Sequence, residues 1–379
     1  MERLYFDYNA TAPISESVMD WLKQGNLPFA NPSSFHYSGQ KSKELIEETS
    51  HFLKKTFHLD QEVFYHSGAS EGINTIIRGW AKKNPNGHFF CSSIDHSSVV
   101  NLGEFLNEYG VTTHLFKVDK NGDFDLADLI SQINGLAGAP CLLNYTYVNN
   151  VIGVVWDLKW AEEIKRQTNC KVHVDAVQLP GKIKDWQFLN PKLDAYTFSG
   201  HKFGAFKGIG FTFFKPDFHF APLLSGGGQQ EGLRSGTENP IGIFSLKLAL
   251  DYLIKNFDYN KSSNSKNLIE SSLKDLLGEK GEIISFNAKI RNINTIYFIQ
   301  KSVHPDLLKM KFDLAGLDVG TGSACSSGSS LPDRVILALG YDSELAKTGI
   351  RLSFGPFLTE DLAAKYFEKI KSILSNSLK

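Results

Sequence analysis

The chain has 379 residues, 42% of them hydrophobic and 21% charged, with a formal net charge of −1, a composition that excludes disordered, fibrous and collagen-like architectures. Lysine and arginine form no long block, so a direct, counterion-releasing grip on nucleic acid is not expected. No stretch approaches the ~18 apolar residues that a membrane span needs, and the length suits one large α/β domain with a satellite.

The opening residues, Met1 to Asp7, carry charges and no apolar run, which predicts a cytoplasmic location. Leu45, Ile46, Thr49, Leu53 and Phe57 recur at helical spacing and predict a helix over about 42–57. A strand is predicted at 63–65, ahead of Gly68. Strand-like and helix-like segments then alternate: strand 89–91, helix 99–106, strand 112–116, helix 126–133, strand 141–143, helix 158–164, and strands 171–174, 195–198 and 209–214. This βαβ rhythm predicts a mostly parallel, covered sheet. After Asn239-Pro240 the pattern turns helical, over 241–254 and 268–277, with a polar stretch at 260–266 between them. A strand at 293–299 follows, and a final helix carries Leu362, Tyr366, Phe367, Ile370, Ile373 and Leu374 on one face. The expected division is a large domain over 15–256 and a small one built from 1–14 and 257–379.

Four cysteines, Cys91, Cys141, Cys170 and Cys325, stand singly with no Cys-x-x-Cys pair, which argues against a zinc site or a disulfide framework. Cys91, Cys141 and Cys170 lie in strand-like or apolar settings and read as small buried hydrophobes. Cys325 differs, because Gly320-Thr321-Gly322-Ser323-Ala324-Cys325-Ser326-Ser327-Gly328-Ser329 is too poor in apolar bulk to pack a core and reads as a loop.

Two strand ends carry the strongest chemical signal. Lys171 to Asp175 alternates and stops at a carboxylate, where ligands of α/β sheets bind; a helix cap, or a metal pair with His173, are the other readings of Asp175. Ser199-Gly200-His201-Lys202-Phe203-Gly204 places a lysine just past another strand, in a glycine-bounded turn. A carboxylate to keep a pyridine nitrogen protonated and an amine to hold an aldehyde are what pyridoxal 5′-phosphate (PLP) requires. Tyr65-His66-Ser67-Gly68-Ala69-Ser70-Glu71 adds a strand, a small-residue turn and a helix start. There the backbone N–H groups about Ala69, with Ser67 or Ser70, would hold a phosphate or merely cap the helix. Arg351 ends a short apolar segment and offers a guanidinium fork for a carboxylate.

With these motifs stand Asp7-Tyr8-Asn9-Ala10-Thr11-Ala12-Pro13, Asn31-Pro32-Ser33-Ser34-Phe35-His36 and Arg351-Leu352-Ser353-Phe354-Gly355, in that order. The whole resembles the cysteine desulfurases (NifS/IscS-like) of the class V aminotransferase group, among the PLP enzymes of fold type I. That resemblance implies a mostly parallel seven-stranded sheet with a smaller α+β C-terminal domain. It also implies the conversion of L-cysteine to L-alanine, with sulfur kept on Cys325 as a persulfide for an acceptor or scaffold protein, as in iron–sulfur cluster assembly. Residue by residue, Lys202 matches the Schiff-base lysine, Asp175 the pyridine-nitrogen partner, and Gln178 and Asn150 the contacts to the phenolic oxygen. His96 matches the histidine stacked on the ring and an acid or base. Ser70, Ser199 and His201 match phosphate ligands. Thr237 matches the phosphate ligand supplied by a neighbouring subunit, hence a homodimer. Asn31 and Arg351 match the holders of the substrate carboxylate.

Two positions depart from the family pattern. Val151 stands where the family has an acid after the paired asparagines, and Glu231 stands where it has an arginine. A selenocysteine lyase, or another class V lyase or transferase that does not use Cys325, would share most of these residues. A weakly active scaffold for sulfur-acceptor proteins is a further reading.

Overall fold

The structure, a computed structural model, describes residues 3–301, 303–321 and 331–375. Its centre is a seven-stranded sheet in the order Glu62–His66, Gly210–Phe214, Ala195–Ser199, Lys171–Asp175, Cys141–Thr146, His88–Ser92, Thr112–Phe116. Gly210–Phe214 runs antiparallel to both of its neighbours, and the other pairings are parallel. The central strands are buried along their length, as expected when helices cover both faces. The outer edge at Glu62–His66 is closed by the Gln230 side chain, whose amide pairs with Tyr65 N at 2.6 Å and Tyr65 O at 3.0 Å, as a further strand would.

Helix Ala69–Lys83 shows how tightly the cover fits. Its Ile73, Ile76, Ile77 and Trp80 are buried against Phe64, Phe89 and Phe214 in one apolar cluster. At Gly79 the helix meets the chain at Ala221: Ala221 N donates to Gly79 O at 3.0 Å, and an added Cβ would lie 2.3 Å from Ala221 O.

The C-terminal third builds a second apolar cluster around a three-stranded antiparallel sheet, ordered Ile350–Ser353, Thr295–Gln300, Gly281–Ile283. Helices Tyr259–Leu277 and Glu360–Ser375 pack on it together with Leu4 and Phe6, which lie on strand Leu4–Phe6, parallel to Leu317–Val319. The N-terminal strand therefore belongs to the C-terminal core.

Two helices differ from the sequence expectation. The predicted 99–106 helix is two short ones, Ser97–Val100 and Gly103–Asn107, broken at Asn101 and Leu102; asparagine and glycine are weak helix formers there. The polar stretch 260–266 is the first half of helix Tyr259–Leu277, capped by Asp258, which accepts from Lys261 N at 3.0 Å. Its buried stripe starts with Ser262, Ser265 and Lys266, and Lys266 is neutralised by Glu270 at 2.5 Å one turn on.

Cys141 and Cys170 are buried, and their Sγ atoms lie 2.9 Å apart at the start of neighbouring strands, a proximity that their separation in sequence hides.

The Gly79 contact is backbone against Cβ, so no side chain can turn away. Gly79→Ala is expected to lower stability by about 1–3 kcal/mol, read as an earlier denaturant midpoint; an unchanged midpoint would show that the helix does not approach Ala221 so closely.

Candidate active site

The C-terminal ends of the central strands open into a cavity of about 700 Å³, within the usual size for a cofactor site. Its lining includes Ala69, Ser70, His96, Asn150, Asp175, Gln178, Ser199, His201 and Lys202. A second cavity of about 590 Å³ shares Ala10, His96, Asn150 and Lys202 with the first and adds Asp7, Arg334 and Arg351. Lys202 thus stands where the two meet.

Strand Ala195–Ser199 is followed by one tight turn, Gly200–Lys202, which directs the lysine across the strand ends. Lys202 Nζ donates to the carbonyls of Asn9 at 2.7 Å and Ala10 at 2.8 Å. Burial first, and then the Arg351 cation, push its amine down from 10.5 to about 8, against the pull of Asp175 and Asp7. Asp175 ends the adjacent strand, is 7% exposed, and accepts from Val177 N at 3.0 Å. Burial raises its carboxyl from 3.8 to about 6, while Val177 N and Lys202 pull it back.

The remaining residues follow the same logic. Gln178 donates to Asn9 O at 2.9 Å and accepts from the buried amine of Lys182. His96 precedes a short helix, and its Nδ1 accepts from Ser98 N at 3.1 Å, so Nε2 carries the proton of the neutral ring. Burial and then the Lys202 charge lower its basicity, which favours that neutral form. His201 Nδ1 lies 3.1 Å from Thr11 Oγ1, and burial brings its ring down to about 4. Ser70 is in the first turn of helix Ala69–Lys83. Beside it Ser67 N donates to Glu71 Oε2 at 2.8 Å, and Glu71 is paired with Arg234 at 2.8 Å.

Arg351, on strand Ile350–Ser353, is 7% exposed. It donates to Asp7 Oδ1 at 2.6 Å and Asn150 O at 3.1 Å, and its Nε has no partner among the described residues. A Cβ at Gly320 would fall 2.7 Å from both this guanidinium and Asp7, so a larger residue there would displace the pair. Both ring nitrogens of His173 are engaged, with Asn144 and Thr197 at 2.8 Å, which removes the metal-pair reading with Asp175. Asn31 and Thr237 are exposed and line neither cavity. Cys325 lies outside the described residues.

Three residues of the site carried no warning in the sequence. Asn9, 1% exposed, accepts Lys202 and Gln178 on its carbonyl and Lys182 on Oδ1 at 3.2 Å, and donates to Asn150 O at 3.0 Å. Lys182, 4% exposed, is pushed well below the usual lysine range by burial and then by the Lys202 and Arg351 charges. Arg334 donates to the carbonyls of Ser93 and Asp95 and so clamps the segment that leads to His96. Of the two departures, Val151 is buried at the second cavity, and Glu231 is exposed with a left-handed backbone, φ 57°.

Comparison with known proteins agrees with this geometry. The family model "Aminotransferase class-V" matches residues 4–363. A putative cysteine desulfurase IscS 1 of Bacillus subtilis is 31% identical over 368 residues, covering 94% of each chain. The solved NifS-like protein from Rickettsia africae superposes with a TM-score of 0.85 at 28% identity, over 99% of this chain and 100% of that one. SspA in complex with cysteine gives 0.78 at 26% identity, over 93% and 99%. No helix among the described residues is long and apolar enough to cross a membrane. With its lysine and aspartate at adjacent strand ends of the same sheet, the chain belongs to the aminotransferase class-V family, among the cysteine desulfurases related to IscS and NifS.

Proposed function

We propose that this protein converts L-cysteine to L-alanine with PLP at Lys202 and passes the sulfur to Cys325 as a persulfide. The observation that carries the reading is the Lys202 amine, brought to about 8 beside the buried Asp175 carboxyl and facing the cavity that holds Arg351. The solved SspA complex contains cysteine, which supports that amino acid as substrate.

The donor set fits the cofactor. Lys202 would hold the aldehyde carbon, Asp175 the ring nitrogen, and Asn150 and Gln178 the phenolic oxygen. The turn at Gly68, Ala69 and Ser70, with Ser199 and His201, would take the phosphate at a helix N-terminus. When bound, PLP supplies an electron sink for charge developing on the substrate α-carbon.

The chain's own groups do the rest. Arg351 lines the second cavity and holds the substrate carboxylate there. Lys202, more readily neutral than an ordinary lysine because burial lowers its pKa, accepts and returns the α-proton. His96 offers Nε2–H as an acid over the same space. Cys325 thiolate attacks the substrate sulfur, and the net change balances: cysteine and the Cys325 thiol become alanine and a Cys325 persulfide. The persulfide then goes to an acceptor or scaffold protein, such as one for iron–sulfur assembly, in the cytoplasm. A homodimer completes each site: Thr237 and Asn31 are exposed here, and Phe29, Phe35 and Tyr37, around Asn31, are 89%, 98% and 76% exposed, a patch suited to a second copy.

Two outcomes are expected from substitution. Lys202→Ala loses both the visible absorbance of bound PLP and alanine release, whereas Cys325→Ser keeps the absorbance and loses persulfide and alanine together; alanine formed from cysteine by Cys325→Ser would overturn the role of Cys325. In the cofactor-free protein an amine-reactive label should capture Lys202 with a midpoint near pH 8, where the neutral amine appears, below the ~10.4 of an ordinary lysine. Arg351→Ala removes a cation that favours the neutral form, so the midpoint must move up; a midpoint that stays or falls contradicts the assigned electrostatics.

A further inference from the structure

Under the cavity floor a second polar row crosses the sheet. Asn144 Nδ2 donates to Asp95 Oδ2 at 2.8 Å, and Asn144 Oδ1 meets His173 Nδ1 at 2.8 Å. His173 Nε2 meets Thr197 Oγ1 at 2.8 Å, Thr197 Oγ1 meets Thr212 Oγ1 at 2.9 Å, and Thr212 Oγ1 meets His66 Nε2 at 2.9 Å. None of the six is more than 2% exposed. The row visits five adjacent strands and ends at the residue before His96. Side chains two apart on a strand share a face. His173 therefore lies behind Asp175 and Thr197 behind Ser199, one step deeper in the sheet.

The direction of every bond in the row follows from one end. An ionised carboxylate only accepts, and Asp95 receives Asn144 Nδ2, Thr146 Oγ1 at 2.7 Å and Ser92 N at 3.1 Å. Asn144 must then show its oxygen to His173, whose Nδ1 carries the proton. Burial holds His173 at about 3 and His66 at about 4, so both rings are neutral. His173 Nε2 is consequently an acceptor for the Thr197 hydroxyl, Thr197 for Thr212, and Thr212 for His66 Nε2–H. A buried polar row is costly when partly satisfied and rigid when complete.

We propose that Asp95 is a positioning residue for the reaction: it orients this row, locks His173 as its Nδ1–H tautomer, and so holds the strand ends bearing Asp175 and Ser199, and its own neighbour His96, in one arrangement before any ligand binds. The consequence for catalysis rests on the function proposed above; the tautomer does not. Burial, and to a smaller degree Asp175, raise the Asp95 carboxyl to about 7 against its three donors, so the ionised row is examined well above that midpoint.

The test is long-range ¹H–¹⁵N spectroscopy of histidine-labelled, cofactor-free protein, with the His173 signal assigned by its loss in His173→Gln. Wild-type protein is expected to show a protonated Nδ1 and a bare Nε2. Asp95→Ala removes the acceptor, leaves Asn144 free to turn over, and gives a mixture of tautomers. In the cofactor-loaded enzyme its kcat falls roughly tenfold to a hundredfold, with KM for cysteine nearly unchanged because Asp95 touches no substrate. Asp95→Asn, whose oxygen still faces Asn144 while its amide turns to Thr146, recovers the single tautomer and most of kcat. A wild-type His173 protonated on Nε2, or on both nitrogens, overturns the row's direction and needs no variant to fold. An Asp95→Ala enzyme with unchanged kcat overturns the positioning role.

Discussion

The site depends on one partly buried lysine amine, held where two cavities meet. Lys202 is given two carbonyl oxygens and a buried carboxyl group at the adjacent strand end, yet it also faces the Arg351 cation, and burial outweighs the attraction. The unfolded chain holds that proton up to about 10.5 and the folded chain only to about 8, so this lysine opposes folding below that window and ceases to as pH rises through it. A fold tolerates such a group when its surroundings are over-determined. Here the sheet, covered on both faces, fixes the positions of Asp175 and Lys202 to within one strand spacing.

Asn9 is the joint that makes this possible. It accepts from Lys202 and Gln178, donates to Asn150, and is bound through Thr295 Oγ1, Asn294 and Ser353 to the C-terminal sheet. Lys202 from one core and the strand bearing Arg351 from the other are therefore referenced to the same buried residue. We propose on this basis that residues 1–14 act as part of the C-terminal unit, with a boundary near Asn256, where helix Pro240–Asn256 ends.

Much of this was legible in the sequence because it rests on period and punctuation. Strand 112–116 and the ends of the strands bearing Asp175 and Lys202 follow from alternation interrupted by a chemically odd residue. Helix Tyr259–Leu277 was half hidden, because its buried stripe begins with serines and a lysine whose charge is met by Glu270 one turn away. Asn9, Lys182 and the row from Asp95 to His66 were invisible as a network: each member is ordinary alone, and only the register of five strands aligns them. The pairing of Cys141 with Cys170 was hidden for the same reason. Arg351 was read as a carboxylate holder; its bonds to Asp7 and Asn150 O were hidden, because they join residues far apart in the chain.

The central claim is that sulfur leaves cysteine in a reaction run at Lys202 and arrives on Cys325. It is tested most directly by mixing PLP-loaded protein with cysteine in the absence of any acceptor, quenching with an alkylating reagent, and weighing the peptide that carries Cys325 while counting alanine in the same sample. The account predicts one added sulfur atom on that peptide for each alanine released in the first turnover. Alanine released without added sulfur at Cys325, or no alanine at all, would contradict it.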